Sequence, residues 1–247
     1  MTRRRWIATE FDDFSATLSG AQAEHLARVL RAEPGMRADV VAGERVYHAV
    51  IETVTGSAVR FHLEQEIEAG ATLPIGLLLA VFKFDRMEWA IEKATELGVS
   101  KIVPLIARRT EKHLAQAAAR RVERWRRIAM EATKQSRGSS VPDITAPLQL
   151  SNALKESVPQ DGARILLSEY EKQYTLAACL TELHLQQHDR ITLAIGPEGG
   201  WTDEEAAQFV GAGWSSATLG TRILRAETAV IASLSIASAL LAEPLAQ

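Results

Sequence analysis

Two short glycine-containing stretches near the carboxyl end of the sequence are the strongest candidates for chemistry. The first, AIGPEGGWTDEE, runs from Ala194 to Glu205 and places Gly196, Gly199 and Gly200 within five residues, directly after an apolar run. Glycine lets a backbone approach a ligand closely and adopt positive φ, so such a loop can offer its own N–H and C=O groups to a flat polar molecule. The stretch matches neither a Walker A motif nor a dinucleotide-binding fingerprint, so the usual phosphate-binding explanations fail.

The same stretch has a second interpretation, as a capped turn between a strand and a helix. Thr202 followed by Glu205 is the pattern of a capping box, and Asp203 and Glu204 suit the positive end of a helix. Capping accounts for these four residues but leaves three glycines in one turn unexplained, because a single glycine usually suffices. The pattern therefore favours a ligand loop, and the purely structural turn is the alternative.

The second stretch, LGTRILRAETAV, begins at Leu219 and carries two arginines. Arg222 and Arg225 lie three positions apart, so on one helical turn they project to the same side, where they could hold a phosphate or a developing negative charge. The alternative is a pair of surface arginines that bind nearby carbonyl groups. Leu219 and Leu224 are expected in the core or in the wall of a pocket.

From Pro74 onward, apolar runs alternate with helical patterns, and these elements must position the two stretches. The runs IGLLLAVF, SKIVPLI, ARILLSEY, RITLAIG and SSATLG indicate strands, and RMEWAIEKATELG indicates an amphipathic helix closed by Gly98. Such alternation predicts an α/β fold with a largely parallel sheet. Ligands of parallel sheets lie beyond the carboxyl ends of the strands, where Ser168, Gly196 and Gly220 are found.

The amino-terminal part of the sequence has a different pattern. Short runs that begin at Ala38, Val46 and Ala58 are separated by turn residues and predict a small antiparallel meander, preceded by one helix. We therefore predict a small β-rich domain over residues 1–72 and an α/β domain over residues 73–247.

Composition excludes several classes of protein. A chain of 247 residues that is 47% hydrophobic can bury a globular core. Cys179 is the only cysteine, which excludes an intramolecular disulfide and a cysteine cluster, and no metal site is predicted. The basic amino end is not followed by the apolar stretch of a signal peptide, and the segment from Ala229 to Ala242 is too short and too rich in serine to span a bilayer. We therefore expect a buried helix at that segment, a cytoplasmic location and no membrane partner.

The net charge of −3 conceals a basic region. Between Lys101 and Ser140 there are eleven Lys or Arg residues against three Glu, a local charge of +8. Within it, RRVERWRRIAMEATKQSRGSS places arginines on and just after a helical pattern. Such a cluster suits a polyanion such as nucleic acid, and a solvated helix face explains it equally well.

Taken together, the two carboxy-terminal stretches resemble the signature of the 16S ribosomal RNA uridine-N3 methyltransferases, which belong to the SPOUT class of knotted RNA methyltransferases. LAIGPEGGWTDEE and LGTRILRAETAVIASL carry the resemblance, which extends to FDRMEWAIEKATELGVSKIVPL, ERWRRIAMEATKQSRGSSVPDI and HLARVLRAEPG. It implies an amino-terminal PUA-like β-barrel that binds RNA, then an α/β domain whose carboxy-terminal segment forms a trefoil knot. It also implies a homodimer with the active site at the subunit interface.

The resemblance further implies that S-adenosylmethionine is the cofactor, bound in the knot largely by backbone groups. The substrate would be N3 of a uridine in the decoding region, presented by 16S rRNA or by the assembled small ribosomal subunit. The implied cofactor-binding residues are Ser168, Ile195, Gly196, Gly199, Gly200, Leu219, Gly220, Ile223, Leu224 and Thr228.

Roles in catalysis and RNA binding are assigned as hypotheses. Arg225, with Arg222, would stabilise the uracil anion or grip a neighbouring phosphate, and Glu198 or Glu227 would assist removal of the N3 proton. The candidate RNA-binding residues are Arg3, Arg28, Arg31, Arg124, Arg127, Lys134 and Arg137.

The sequence departs from the family pattern in two places. Thr221 and Ala226 stand where the family usually has proline and threonine, which leaves the loop intact, and the segment that begins at Lys134 adds a positive charge near the presumed RNA surface. Two other functions stay open at this point. The chain could be a ribose 2′-O methyltransferase that acts on transfer RNA, or a ribosome-assembly factor that binds RNA without catalysis.

Overall fold

The structure is a computed structural model that describes residues 5–43, 45–67, 73–157, 161–184 and 189–241. The chain divides into two compact units. The first contains Met1–Thr72 and Met130–Val141, and the second contains Leu73–Ala129 and Pro142–Gln247. The linker-like residues before Leu73 lie outside the described residues.

The first unit contains one six-stranded, mostly antiparallel sheet. Its strands are β1 (Arg5–Ile7), β2 (Glu10–Phe11), β3 (Ser15–Ser19), β4 (Arg37–Ala42), β5 (Arg45–Val54) and β6 (Ala58–Ile67). The spatial order is β1-β4-β5-β6-β3-β2, and β1 runs parallel to β4. The three runs that predicted a meander form β4, β5 and β6, which pair in sequence order.

This sheet curls because one short segment joins both of its edges. β1 and β2 lie at opposite ends of the strand order yet are adjacent in the chain. Between them, the Ala8 N–H donates to the Val41 carbonyl of β4 at 2.8 Å, and the Thr9 N–H donates to the Thr17 carbonyl of β3 at 2.8 Å. Leu18, with other apolar side chains of the strands, is fully buried inside the curl.

The helix predicted ahead of the meander is short. Helix α1 (Ala21–Glu24) continues directly into a π-helical turn, His25–Val29. Leu26 is buried, whereas Val29 is 64% and Leu30 is 52% exposed. A π-helical turn is wider than an α-helical one, so it moves the last two residues off the face that Leu26 occupies.

The second unit contains a parallel seven-stranded sheet, so the predicted α/β fold with a parallel sheet is confirmed. Its strands are β7 (Ile75–Ala80), β8 (Lys101–Ile106), β9 (Asp143–Ile144), β10 (Leu148–Gln149), β11 (Ala163–Leu167), β12 (Ile191–Ile195) and β13 (Ser215–Ala217). The order is β10-β8-β7-β12-β11-β13, with β9 also paired to β8, and every one of these pairings is parallel.

Helices cover both faces of this sheet. They are α2 (Phe84–Glu96), α3 (Lys112–Ala118) with a 3₁₀ turn at Ala119–Arg121, α4 (Val122–Ser136), α5 (Leu150–Asn152) with a π-helical turn at Ala153–Ser157, α6 (Leu176–Glu182), α7 (Asp203–Gly211) and α8 (Ala226–Leu241). Helices α2 and α8 pack together on one face, and Phe209 and Trp214 pack against Leu78 and Ala194 on the other. Burial on both faces explains why the strands read as continuous apolar runs rather than alternating ones.

Helix α8 includes most of the apolar segment that the sequence predicted as a buried helix. Val230, Leu234 and Ala237 are buried along one side of it. Among the described residues, no helix combines the length and apolar character needed to cross a membrane.

Candidate active site

Three neighbouring strands of the parallel sheet end beside one another. β11 lies between β12 and β13, with Leu166 aligned with Ala194 and Leu167 aligned with Ala217. The Ser168 N–H donates to the Ala217 carbonyl at 3.0 Å. The strand ends that the sequence singled out therefore form one edge of the sheet, as the parallel arrangement requires.

A cavity of about 380 Å³ opens at this edge. Its lining includes eleven of the fourteen residues predicted to bind cofactor or act in catalysis: Ser168, Ile195, Gly196, Glu198, Gly200, Leu219, Gly220, Arg222, Ile223, Leu224 and Arg225. Gly199, Glu227 and Thr228 are not among the lining residues. Ligand cavities in proteins commonly measure about 300–1,000 Å³, so this one can take a molecule of nucleoside size.

At each of the three glycines of the first loop, a side chain would meet a different neighbouring residue. A Cβ at Gly196 would lie 3.2 Å from Nε1 of Trp201. Gly200 has φ +70°, and a Cβ there would lie 2.9 Å from a carboxylate oxygen of Glu169. A Cβ at Gly199 would instead meet Cδ of Arg109 at 3.3 Å. Each of the three glycines therefore leaves room for a neighbouring side chain of the protein: Trp201, Glu169 and Arg109 respectively.

Buried contacts hold the first loop in place. The Gly200 N–H donates to the Pro197 carbonyl at 2.8 Å. The indole of Trp201 is buried, and its Nε1 donates to the Leu167 carbonyl at 3.2 Å. The ring packs edge-on against Phe209, with 5.0 Å between the ring centroids. The loop is thus tied both to itself and to the end of β11.

The capping box predicted after the loop is present. The Thr202 side chain accepts from the Glu205 N–H at 3.2 Å, and the Glu205 carboxylate accepts from the Thr202 N–H at 3.0 Å. The Glu205 side chain is 2% exposed and also accepts from the Arg108 N–H at 2.8 Å. The capping box is confirmed in the second part of the stretch, which starts helix α7, while the first part lines the cavity and its role as a ligand loop stays a prediction.

The second loop differs from the first in having exposed cationic side chains. Gly220 has φ +119°, a left-handed conformation that favours glycine. Arg222 and Arg225 are exposed and both line the cavity, although they lie just before helix α8 and not on the helical turn that their spacing suggested. Within the described part of the chain, neither guanidinium has a hydrogen bond or an ion pair. Ile223 between them is 83% exposed.

Arg86 is a cavity residue that the sequence reasoning missed. It lies in the first turn of α2, with Nη1 3.9 Å from the Glu198 carboxylate and Nε 3.8 Å from the Glu227 carboxylate. Glu227 is 7% exposed, and its Oε2 has no hydrogen-bond partner in the part of the chain that the structure describes. Nothing near Arg86 in the sequence indicates this position, because the contacts join residues more than a hundred positions apart.

The predicted RNA-binding residues fall into distinct groups. Arg3 lies outside the described residues. Arg28, Arg31, Arg127 and Arg137 are exposed, and the carbonyl of Arg137 accepts a hydrogen bond from Arg5.

Two of the predicted RNA-binding residues are engaged within the protein. Arg124 forms a two-pronged pair with Glu88 at 2.6 and 2.7 Å. The Lys134 side chain is only 5% exposed and pairs with Glu131 at 2.7 Å. The Arg124 pair depends on tertiary packing and the Lys134 pair on helical spacing. Composition alone therefore does not show that these two side chains already have partners within the protein. The RNA role of both side chains stays a prediction.

Comparison with known proteins agrees with this site. Residues 69–238 match the family model described as RNA methyltransferase domain. The ribosomal RNA small subunit methyltransferase E of Synechocystis is 32% identical over 228 residues, which cover 92% of this chain and 74% of that protein. The Bacillus subtilis protein of the same name is 28% identical over 228 residues, 90% of this chain and 89% of its own length.

Two solved structures cover nearly the whole chain. The Neisseria gonorrhoeae ribosomal RNA small subunit methyltransferase E, bound to S-adenosyl methionine, has a TM-score of 0.80 at 26% identity and covers 97% of this chain and 98% of its own. A Legionella pneumophila methyltransferase in complex with the same cofactor has a TM-score of 0.78 at 28% identity, covering 97% and 98%.

A parallel α/β sheet with a glycine-lined cavity at its carboxyl edge, together with the matching domain model, defines an RNA methyltransferase. The chain belongs to the ribosomal RNA small subunit methyltransferase E family. The resemblance predicted from the two carboxy-terminal stretches is thereby confirmed.

Proposed function

We propose that this protein transfers a methyl group from S-adenosylmethionine to N3 of a specific uridine in 16S rRNA. The observation that carries the proposal is the cavity at the carboxyl edge of the sheet, lined by glycines of both loops and by two arginines that have no partner within the described residues. The related proteins are named for methylation of small-subunit ribosomal RNA, and two neighbouring structures contain the methyl donor.

The residues around the cavity fit such a cofactor. Gly196 and Gly200 leave the backbone of the first loop bare at two cavity-lining positions, and Gly220 does the same in the second loop. The predicted cofactor residues would hold the donor through backbone groups of both loops, with Ser168 at the end of β11 between them. When bound, S-adenosylmethionine supplies a reactive methyl group on a sulfonium.

The arginines act on the base. Uridine N3 carries a proton and is a weak nucleophile until that proton leaves, so the site must favour the uracil anion. Arg225 and Arg222 place two positive charges at the cavity, and such charges stabilise an anion most where water is excluded. The same side chains could hold a phosphate beside the target nucleotide.

Glu198 is the proposed proton acceptor. It lines the cavity with a side chain that is 32% exposed, and Arg86 lies 3.9 Å from it. Glu227 is 7% exposed and is not a lining residue, so we give it the role of holding Arg86 beside Glu198. Because N3 lies on the pairing edge of uracil, the base must be unpaired or flipped out before Glu198 can reach its proton.

The domain roles follow from the same proposal. Residues 1–72 would form a PUA-like β-barrel that binds RNA, which the curled sheet and the exposed Arg28 and Arg31 support. Residues 73–247 would form the SPOUT domain with a carboxy-terminal knot. Two features support a knot: β12 is inserted between β7 and β11, and α8 returns to pack on α2 at the start of the domain.

We also propose a cytoplasmic homodimer. Ile223 and Tyr170 are 83% and 66% exposed at the rim of the cavity, and a second copy placed there would cover them. The substrate would be 16S rRNA or the assembled small subunit. A ribose methyltransferase for transfer RNA is not favoured, because the named relatives are small-subunit ribosomal RNA enzymes, and a non-catalytic assembly factor would have no need of the cavity.

The deciding experiment examines ribosomal RNA from cells that lack this protein. Nucleoside mass spectrometry should find N3-methyluridine missing from 16S rRNA, and adding the purified protein with S-adenosylmethionine should restore it. A variant with Arg225 replaced by alanine serves as the matched control and should fail to restore it. Unchanged N3-methyluridine in those cells, or a missing 2′-O-methylated nucleoside instead, would contradict the proposal.

A further inference from the structure

Arg109 contacts the first loop although it comes from a different part of the chain. It follows β8, and its Nη1 donates to the Gly199 carbonyl at 2.6 Å and to the Trp201 carbonyl at 3.1 Å. Hydrogen bonds from a charged donor are stronger than those between neutral groups. Arg109 is not a lining residue of the cavity. Its bonds therefore act on the loop from outside the space that a ligand would occupy.

The two peptide groups that Arg109 contacts are held at both ends. A trans peptide points its C=O and its N–H in opposite directions. The N–H that shares a peptide with the Gly199 carbonyl belongs to Gly200 and donates to Pro197 at 2.8 Å. The N–H that shares a peptide with the Trp201 carbonyl belongs to Thr202 and donates to Glu205 at 3.0 Å. Neither peptide plane can rotate without breaking a hydrogen bond on each side.

The turn that carries Arg109 is itself anchored. The Thr110 hydroxyl donates to the Val81 carbonyl at 3.1 Å, just after β7. The Arg108 N–H donates to Glu205 at 2.8 Å, and the Thr110 N–H donates to the Ala107 carbonyl at 3.1 Å. Arg109 therefore connects the glycine loop to a turn that is fixed at the ends of β7 and β8.

Gly199 is explained by the same side chain. Its φ is not in the left-handed region, so its backbone conformation does not demand glycine. A Cβ there would lie 3.3 Å from Cδ of Arg109, slightly closer than ordinary van der Waals contact, and 3.4 Å from its Cβ. The third glycine of the loop thus leaves space for Arg109 to lie across the backbone and reach both carbonyls.

We propose that Arg109 is a positioning residue for the methyl donor, because it fixes the peptide planes of Gly199 and Trp201 and so keeps the cofactor side of the loop in its binding geometry. The inference rests on the proposed function, since it concerns how S-adenosylmethionine is bound. A loop already in the bound geometry loses less conformational entropy when the ligand arrives.

Titration calorimetry with S-adenosylmethionine tests this directly. Replacing Arg109 with alanine should weaken binding about ten-fold, the equivalent of one charge-assisted hydrogen bond. Arg109→Lys should lie between the alanine variant and the wild type, because an ammonium is a point charge without the planar fork of arginine. Arg108→Ala is the matched control and should change affinity less than two-fold, because among the described residues the Arg108 guanidinium makes no hydrogen bond.

Kinetics separate positioning from substrate contact. In the Arg109→Ala variant, KM for S-adenosylmethionine should rise with the dissociation constant, while kcat at saturating donor and RNA stays within about three-fold. KM for RNA and its salt dependence should not change. A rise in KM for RNA with unaltered donor affinity would overturn the inference and assign Arg109 to the RNA surface.

A double-mutant cycle provides a readout that general destabilisation would not reproduce. Gly199→Ala alone should weaken donor binding because its new Cβ displaces Arg109, but in the Arg109→Ala background it should add little. Additive effects of the two changes would overturn the inference. If thermal unfolding shows that Arg109→Ala does not fold, Arg109→Lys and Gly199→Ala together complete the same cycle. Wild-type protein that fails to bind the donor would contradict the proposed function, whereas unchanged binding by the Arg109 variants would contradict only this inference.

Discussion

The loop from Gly196 to Trp201 and the loop from Gly220 to Arg225 border the same cavity but are stabilised in different ways. In the first loop, the exposed Arg109, the Leu167 carbonyl and the capping box bind the backbone and the indole through contacts within the protein. In the second, two guanidiniums have no partner among the described residues, and Ile223 is 83% exposed. The first loop is held by hydrogen bonds within the protein. The two guanidiniums of the second loop are left to hydrogen-bond with water or with a bound molecule.

This difference indicates a division of tasks across the cavity. A loop whose own hydrogen bonds are satisfied can bind a small ligand with little reorganisation, which suits a cofactor. An exposed guanidinium gives up its water readily to an anion and offers a fork of donors, which suits an RNA phosphate or a base that becomes negative during the reaction. This division of tasks can be tested by changing each loop separately and measuring cofactor affinity, stability, RNA affinity and turnover.

Replacing Arg225 with alanine should have the largest effect. Loss of one positioned cation that stabilises a developing anion typically lowers kcat about 10²–10³-fold. Affinity for S-adenosylmethionine should change less than about two-fold, because the cofactor is assigned to backbone groups. Single-turnover methylation of ribosomal RNA and titration calorimetry measure the two quantities.

The lysine variant at the same position is the matched control for Arg225. Arg225→Lys keeps the charge but loses the fork of donors, so its turnover should lie between those of the alanine variant and the wild type. Unaltered turnover in Arg225→Ala would remove this residue from the mechanism and with it the contrast between the loops.

Replacing Trp201 with phenylalanine tests the first loop through stability. The change removes the buried N–H that donates to Leu167 and should lower the free energy of unfolding by about 1–3 kcal/mol. Urea denaturation measures this loss, and donor affinity should fall several-fold with it. Trp89→Phe provides the control, because Trp89 is 44% exposed and a change there should stay within about 0.5 kcal/mol. Equal losses of unfolding free energy in the two variants would show that the hydrogen bond from Trp201 to Leu167 does not stabilise the first loop.

The features of this comparison that were predictable from sequence are local ones. Three glycines directly after an apolar run indicate a bare turn, and Thr202 with Glu205 indicates a capping box, because both patterns act within a few residues. Strand alternation then places the two loops at one edge, since parallel strands share their carboxyl ends. Both loops line the cavity as expected.

The features that were not predictable depend on residues far apart in the chain. Arg86 and Arg109 reach the loops only because β7 pairs with β12 and β8 pairs with β7, a sheet order that periodicity does not specify. Gly199 was assigned to the ligand because a missing side chain does not reveal what fills its place. Arg124 was assigned to RNA without knowledge that Glu88 is its partner.

Replacing Arg222 with alanine should have a smaller effect, seen mainly in RNA binding. If Arg222 contacts one phosphate, affinity for 16S rRNA should fall several-fold, and the slope of log affinity against log salt should become shallower by about one. Filter binding over a series of salt concentrations measures both. Arg109→Ala is the comparison from the first loop and should leave the salt slope unchanged. A slope unaffected by the Arg222 change would argue that this side chain serves the base or the partner subunit instead.

The smallest expected effect concerns pH and the helix that follows the first loop. The pKa of the Glu204 carboxyl lies below its ordinary value of 4.5, because the carboxylate accepts hydrogen bonds from the Glu204 backbone N–H and, second, from the Thr202 hydroxyl. A carboxylate with a lowered pKa stabilises the folded state above its unfolded pKa, and this contribution is lost as the pH falls through the folded value. The wild type should therefore unfold at a slightly higher temperature than Glu204→Gln at pH 7, and the gap should close as the pH falls below about 4.5. Arg222→Gln changes no group that titrates in this range, so its offset from the wild type should stay constant. A Glu204→Gln gap that persists at pH 3 would mean that the contribution of Glu204 to stability does not depend on its negative charge.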